Sequence, residues 1–409
     1  MKKFEHLACN EKSEKWEKLI ERPELLYDRE KDMRSAFQRD YTRILHCQGY
    51  RRLKHKTQVF FNIENDHICT RMEHVSHVES VATTIAQKLG LNIDLVRAIA
   101  LGHDIGHAPF GHQGEAVISK ITQEYLGKKF WHEKNGLRFL EDIELLPDNQ
   151  DFRRNLSLTY AVRDGVISHC GELDSNYLRP RDEIMDLKCF QDPGEYEAAT
   201  WEGCVVKIAD KIAYVGRDIE DAICLGFIDS AGQGKLNKIA RSHDRSALNT
   251  TVIMHSMIKD ICDSSDPVKG ICLSEPNFKD LKEIKEFNYE EIYKHPRLKP
   301  FMKYSELVLT SIFDVLKDCY AEKYTFSSIA EHFKESPILV DSFSKWLARY
   351  CDPDIVPESS LSDVANKCDN KKIYARLEVK SIYYQAIVDY LTGMTDRYAI
   401  KIFNELLAY

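Results

Sequence analysis

The chain has 409 residues, of which 43% are hydrophobic and 30% charged; that is ample material for a core and excludes a disordered chain. Its 18 glycines and 12 prolines are about 4% and 3% of the chain, below averages of about 7% and 5%, which disfavours turn-dense β proteins and points to long helices. The formal charge is −8, so the chain has no strong pull towards nucleic acid or anionic membrane, and any phosphate must meet a local basic pocket or a metal.

No apolar run approaches the roughly 18–20 residues of a spanning helix, so no membrane partner is expected. The first nineteen residues, Met1 to Leu19, carry charges where a signal peptide needs an apolar stretch. Twelve cysteines are scattered from Cys9 to Cys368 with no C-x-x-C pair. A reducing, cytoplasmic setting is predicted, without disulfides or thiol zinc.

Residues 1–33 read as a charged helical lead-in. From Arg34 to Phe61 the pattern is basic and helical, and Thr57 to Phe61 is the best strand candidate. Thr70-x-x-Glu73 has the form of a capping box, followed by Val75, Val78, Ala82, Ile85 and Leu89 at helical spacing. Gly90 is a plausible stop, and Asn92 the N-cap of a second helix carrying Leu95, Val96 and Ile99. That helix runs into His103-Asp104 and is broken by Gly106, Pro109 and Gly111. Val205 to Ile223 is a further amphipathic stretch carrying Asp210, Tyr214 and Asp218. Asp186 to Pro193, Asp229 to Asn249, Asp263 to Pro276 and Asp352 to Asn370 read as loops. The fold class predicted is all-α, with a helical core over 34–228 and a helical carboxy-terminal region over 229–409 completing the fold.

The chemistry concentrates in histidine. Eight of the fifteen histidines lie between His55 and His132. His103-Asp104 ends an apolar helix, so both side chains can turn into the interior. His74 lies on the inner face of the preceding helix, and Asp210 starts a helix face of its own. Two imidazoles and two carboxylates form a mixed nitrogen and oxygen set suited to manganese, iron or magnesium. A buried ion-pair network without metal is the bland alternative. Asp210, Lys211, Tyr214 and Asp218 fall within about a 100° arc of one helix.

The pattern H…HD…D, here His74, His103-Asp104 and Asp210, resembles the HD superfamily of metal phosphohydrolases. Longer stretches resemble the bacterial dGTPase-type deoxynucleoside triphosphate triphosphohydrolases: Arg34 to Ile44, Tyr50 to Phe60, Thr70 to His74, H-D-I-G-H-A-P-F-G-H-Q-G-E (His103 to Glu115), Trp131 to Glu133, Ala209 to Asp221 and Gly393 to Ala399. The resemblance implies an HD catalytic core over 34–228 and one divalent ion, manganese, magnesium or iron, on His74, His103, Asp104 and Asp210. It also implies a catalytic histidine at His112, held by Glu115, with His132 in the same relay; either histidine can carry the proton. Lys211 and Arg71 would contact phosphates. Tyr214 and Asp218 would contact the deoxyribose, with Gln58 reading the 3′-hydroxyl. His107 would orient a ligand, and His169 has no role assigned. The implied reaction converts a dNTP to deoxynucleoside and inorganic triphosphate, in a homo-oligomer. Two other readings stay open: an HD phosphohydrolase acting on a monophosphate, cyclic dinucleotide or alarmone, or a non-catalytic nucleotide- or nucleic-acid-binding regulator. For the last, Arg51 to Lys56 would line a groove giving weak single-stranded nucleic acid binding.

Overall fold

The computed structural model describes residues 2–26, 32–61, 65, 67–170, 176–242 and 250–408. The main helices are α1 (Ala36–His46), α2 (Arg71–Leu89), α3 (Ile93–Gly102), α4 (Gly111–Leu126), α5 (His132–Arg138), α6 (Tyr160–Ser168), α7 (Trp201–Cys224), α8 (Ser230–Ser242), α9 (Thr250–Ser264), α10 (Glu275–Asn288), α11 (Lys299–Asp318), α12 (Pro337–Tyr350), α13 (Lys380–Thr392) and α14 (Asp396–Leu406). Among the described residues the strands are β1 (Leu145–Pro147) and β2 (Arg153–Asn155), a short antiparallel pair. The protein is all-α, as its composition predicts.

Local signals act where they were read. Thr70 and Glu73 close a capping box on α2, and Gly90 ends that helix at φ 93°, a conformation costly for residues with a Cβ. The Asn92 side chain accepts from Leu95 N–H and starts α3. Helix α2 packs against α3 and α7, so its buried stripe Val75, Val78, Ala82, Ile85 and Leu89 forms the centre of the core. Helix α4 is covered from the other side by α11 and α13. No two of the twelve cysteines are bonded. No helix among the described residues is long and apolar enough to cross a membrane.

Four expectations are corrected. Among its described residues the lead-in holds only short helical turns, at Glu5–Leu7 and Trp16–Leu19, and Phe4 is fully buried with its ring edge-on to Trp201. Thr57 to Phe61 makes one bridge, Thr57 to Thr70, instead of a strand. The Arg71 guanidinium takes the carbonyls of Thr57 and Gln58 that a neighbouring strand would need. The loop read over Asp229 to Asn249 is helical from Ser230 to Ser242, because Asp229 caps Gly232 N–H and Leu236 is buried, which outweighs the glycines; residues 243–249 lie outside the described ones. The loop read over Asp352 to Asn370 contains a short helix, Ser360–Asn366, capped by Ser359 and anchored by buried Ala365.

Candidate active site

Three helices and one turn deliver the predicted cluster. His74 comes from the first turn of α2, His103 from the end of α3, Asp104 from the turn that follows, and Asp210 from the middle of α7. His74 Nε2 lies 3.0 Å from Asp210 Oδ1 and 3.8 Å from Asp104 Oδ2. His103 Nε2 lies 3.6 Å from Asp104 Oδ1 and 3.9 Å from Asp210 Oδ1. Ligand atoms about 2.1 Å from one shared ion stand roughly 3–4 Å apart; His74, His103 and Asp210 come close enough together to share one, with Asp104 beside them. His103 carries the sharpest sign. Its Nδ1 is 2.7 Å from the Ala100 carbonyl, which fixes the proton there, while Nε2 is buried with no hydrogen-bond partner. A buried lone pair of that kind is open to a donor or a cation.

The charges of three of the four agree with this, while against burial the Asp210 and Asp104 carboxylates raise the pKa of His74. Burial lowers the His103 pKa and keeps the ring neutral. Burial alone would raise Asp104 and Asp210. The neighbouring His107, Arg71 and His103 hold Asp104 well below the usual range, and Lys211 and His74 do so for Asp210. Neutral imidazole and ionised carboxylate are the forms that bind metal.

The turn after Asp104 docks closely on α5. A Cβ on Gly106 would stand 2.0 Å from the His132 carbonyl, so glycine is required there. His107 Nε2 lies 3.0 Å from Asp104 Oδ1, and its ring stacks on His132 with centroids 3.7 Å apart. Glu115 then joins two histidines: it accepts from His132 N–H at 2.8 Å, stands 3.2 Å from His132 Nδ1, and 3.4 Å from His112 Nδ1. Burial opposes charge on His132, yet the Glu133 and Glu115 carboxylates push its pKa up to about 9. His112 is exposed, whereas the His132 side chain is only 16% exposed.

One cavity of about 730 Å³ joins these groups, a size usual for a small-molecule site. His74, Asp104, Asp210, His112 and His132 line it, as do Gln58, Arg71, Lys211, Tyr214 and Asp218. His103 lies beneath its floor, fully buried. Lys211 Nζ sits 3.1 Å from Asp210 Oδ2. Arg71 donates to Asp104 Oδ2 at 2.8 Å, so its guanidinium braces the cluster as well as facing the cavity. The Gln58 Oε1 atom is buried without a partner.

Sequence reading missed the opposite wall. Phe278, Lys282, Lys285, Tyr289 and Tyr293, on α10 and the turn extending it, line the cavity, and Tyr293 hydrogen-bonds Asp218. Their three- and four-residue spacing is a helical face that periodicity could have shown. Glu133 and His169 also line the cavity; His169 is buried, which drops its pKa to about 3, and its Nδ1 lies 2.6 Å from the Val166 carbonyl. The basic stretch Arg51 to Lys56 does not line one groove: Arg52 pairs with Glu144, and Lys56 is buried.

Residues 71–215, which include His74, His103, Asp104 and Asp210, match the HD domain family. The chain is 30% identical to a deoxyguanosinetriphosphate triphosphohydrolase-like protein of Clostridium tetani, over 93% of this chain and 88% of that one. It is 36% identical to a protein of the same description from Desulfatibacillum aliphaticivorans, over 69% and 73%. A third, from Caldanaerobacter subterraneus, is 30% identical over 92% and 86%. The chain belongs to the deoxyguanosinetriphosphate triphosphohydrolase-like family of HD-domain proteins.

Proposed function

We propose that this protein hydrolyses deoxynucleoside triphosphates, dGTP or several of them, to deoxynucleoside and inorganic triphosphate. The observation that supports it most is a single cavity lined by His74, Asp104 and Asp210 at one point of α7 and by Lys211, Tyr214 and Asp218 onward. Asp210 and Asp218 are about 12 Å apart along the helix at 1.5 Å per residue, the reach from a phosphate to a sugar. Relatives described as deoxyguanosinetriphosphate triphosphohydrolase-like point the same way.

A divalent ion on His74, His103, Asp104 and Asp210, whether manganese, magnesium or iron, would supply Lewis acidity and an activated water. The chain's own groups do the rest. Lys211 and Arg71 hold the triphosphate by charge. Tyr214 packs on the sugar face and leaves no room for a 2′-hydroxyl, while Asp218 and the unpartnered Gln58 Oε1 take the 3′-hydroxyl. His112 protonates the departing 5′-oxygen, and Glu115 orients that ring and keeps His132 charged beside it. The cytoplasm, where dNTPs are found, is the matching setting, and a homo-oligomer the matching assembly, which light scattering tests.

The deciding experiment is product analysis over all four dNTPs with added manganese or magnesium. Deoxynucleoside and triphosphate are expected; turnover only of monophosphates, cyclic dinucleotides or alarmones would overturn the reading. A second, accessory reading is weak single-stranded nucleic acid binding. It is favoured by a groove of about 570 Å³ whose lining includes Arg34, Arg39, Arg43, Arg51 and Arg153. Filter binding across a salt series tests it.

A further inference from the structure

The stretch Gly393 to Ala399 contributes no side chain to the cavity, yet Asp396 within it reaches the segments that do. Asp396 opens α14 and is 4% exposed. Its Oδ1 accepts the Phe110 backbone N–H at 2.8 Å. Its Oδ2 accepts the Thr57 backbone N–H at 2.9 Å and the Thr57 hydroxyl at 2.5 Å. Each of these segments leads straight to the site: Gln58 follows Thr57, and His112 stands two residues beyond Phe110.

The turn before His112 needs holding. Phe110 and Gly111 both have positive φ, 66° and 58°, and a non-glycine residue keeps that conformation only when its surroundings impose it. Asp396 fixes one end of the turn through Phe110. Buried Lys56 fixes the other, donating to the His107 carbonyl and, at 2.9 Å, to the Thr392 carbonyl two residues before the Met394-Thr395 link to Asp396. The Thr57 carbonyl in turn accepts from Arg71 Nε at 3.3 Å, and Arg71 reaches Asp104. Hydrogen bonds therefore run unbroken from the carboxy-terminal helix to the candidate metal ligands.

We propose that Asp396 is a positioning residue for the reaction, locking the His112 turn and the Gln58 segment in register with each other from behind the cavity. The roles of His112 and Gln58 rest on the proposed function; the register itself does not depend on substrate.

The test is Asp396→Asn in the full chain, which keeps the shape and replaces a two-sided acceptor by a group with one acceptor and one donor. The His112 imidazole NMR signal, assigned by its loss in His112→Ala, is expected to shift, while that of His255, exposed on α9, stays in place. Metal content should remain at the wild-type level while kcat falls on the order of 10–100-fold, as misplacement by about 1 Å can cost. In a His112→Ala background the same substitution should cost severalfold less than in wild type, since the part that acts through the His112 ring is already lost. Thr57→Val should give a milder loss that Thr57→Ser does not show, and this pair decides the matter if Asp396→Asn fails to fold. An unmoved His112 signal with wild-type turnover would overturn the proposal, and so would a loss that multiplies in full in the His112→Ala background. If the wild-type protein turned over no dNTP, the proposed function would fall, and the His112 signal would still decide the positioning role.

Discussion

The Tyr293 phenol donates a hydrogen bond to the Asp218 carboxylate, across 75 residues of sequence, and closes the cavity by tying the α10 side to α7. The pair joins the sugar end of the proposed site to a wall that carries Lys282, Lys285 and Tyr289. It also leaves a titratable group in a dry place.

That placement gives a pH dependence. Burial pushes the Asp218 carboxyl up to about 7, against 3.8 ordinarily, with the Tyr293 hydrogen bond only partly opposing it. Between those values the folded state binds a proton that the unfolded state has lost, so stability falls as pH rises through the window. Asp218→Asn should flatten thermal stability measured from pH 5 to 8. Relative to wild type it should gain up to about 4 kcal/mol at the alkaline end, at about 1.4 kcal/mol per pKa unit. A variant that kept the wild-type slope would move the titrating group elsewhere.

The parts of this fold legible in the sequence are those set by neighbours in the chain. Thr70 with Glu73 and Asn92 with Leu95 are contacts across one helical turn, so their residue types alone specify them. The burial of His103 was legible because it ends an apolar helix, where its side chain can turn into the interior. The Phe278 to Tyr293 wall was not, because it looks like any amphipathic surface until docking fixes what it faces. Asp229 to Ser242 misled for the opposite reason: its composition is that of a loop, and burial of Leu236 decides otherwise.

Asp104 should couple metal binding to the fold. Asp104→Ala should abolish both bound metal and activity, because one of four ligands is lost. It should also lower the melting temperature sharply. The change strands the Arg71 guanidinium, 1% exposed, without its carboxylate, and breaking a buried pair from one side costs about 3–5 kcal/mol. Metal analysis after dialysis and calorimetry read the two effects separately. For wild type, a chelator should stop turnover and added manganese or magnesium should restore it; chelator-resistant activity would contradict the ligand assignment.

His112 should behave differently. His112→Ala is expected to keep metal content and dNTP affinity while turnover drops by about 10²–10⁴, the usual contribution of a general acid. Its stability cost should be small, since the side chain is exposed. Turnover near the wild-type rate would transfer the proton to His132, whose ring is already held charged by Glu133 and Glu115.

Tyr214 tests sugar selectivity. If its ring excludes a 2′-hydroxyl, ribonucleoside triphosphates should be poor substrates, and Tyr214→Ala should narrow the deoxy-to-ribo ratio of kcat/KM. Both constants for the dNTP should worsen as well, because the ring positions the sugar. An unchanged ratio would make Tyr214 a packing residue of α7.

The most direct test of mechanism is where the chain is cut. Lys211 stands beside Asp210, and Arg71 beside Asp104, so the groups proposed to grip phosphate lie at the candidate metal site itself. His112 sits past Glu115, across the His107–His132 stack. Attack at the α-phosphorus with His112 protonating the 5′-oxygen releases the triphosphate whole. Hydrolysis in heavy-oxygen water should therefore put the label in inorganic triphosphate and none in the deoxynucleoside. Pyrophosphate with dNMP would mean the α–β bridge had broken, and orthophosphate with dNDP would mean attack at the γ-position. Phosphorus NMR and mass spectrometry separate the three. Either of the last two would remove His112 from the departing oxygen and Lys211 and Arg71 from the intact triphosphate.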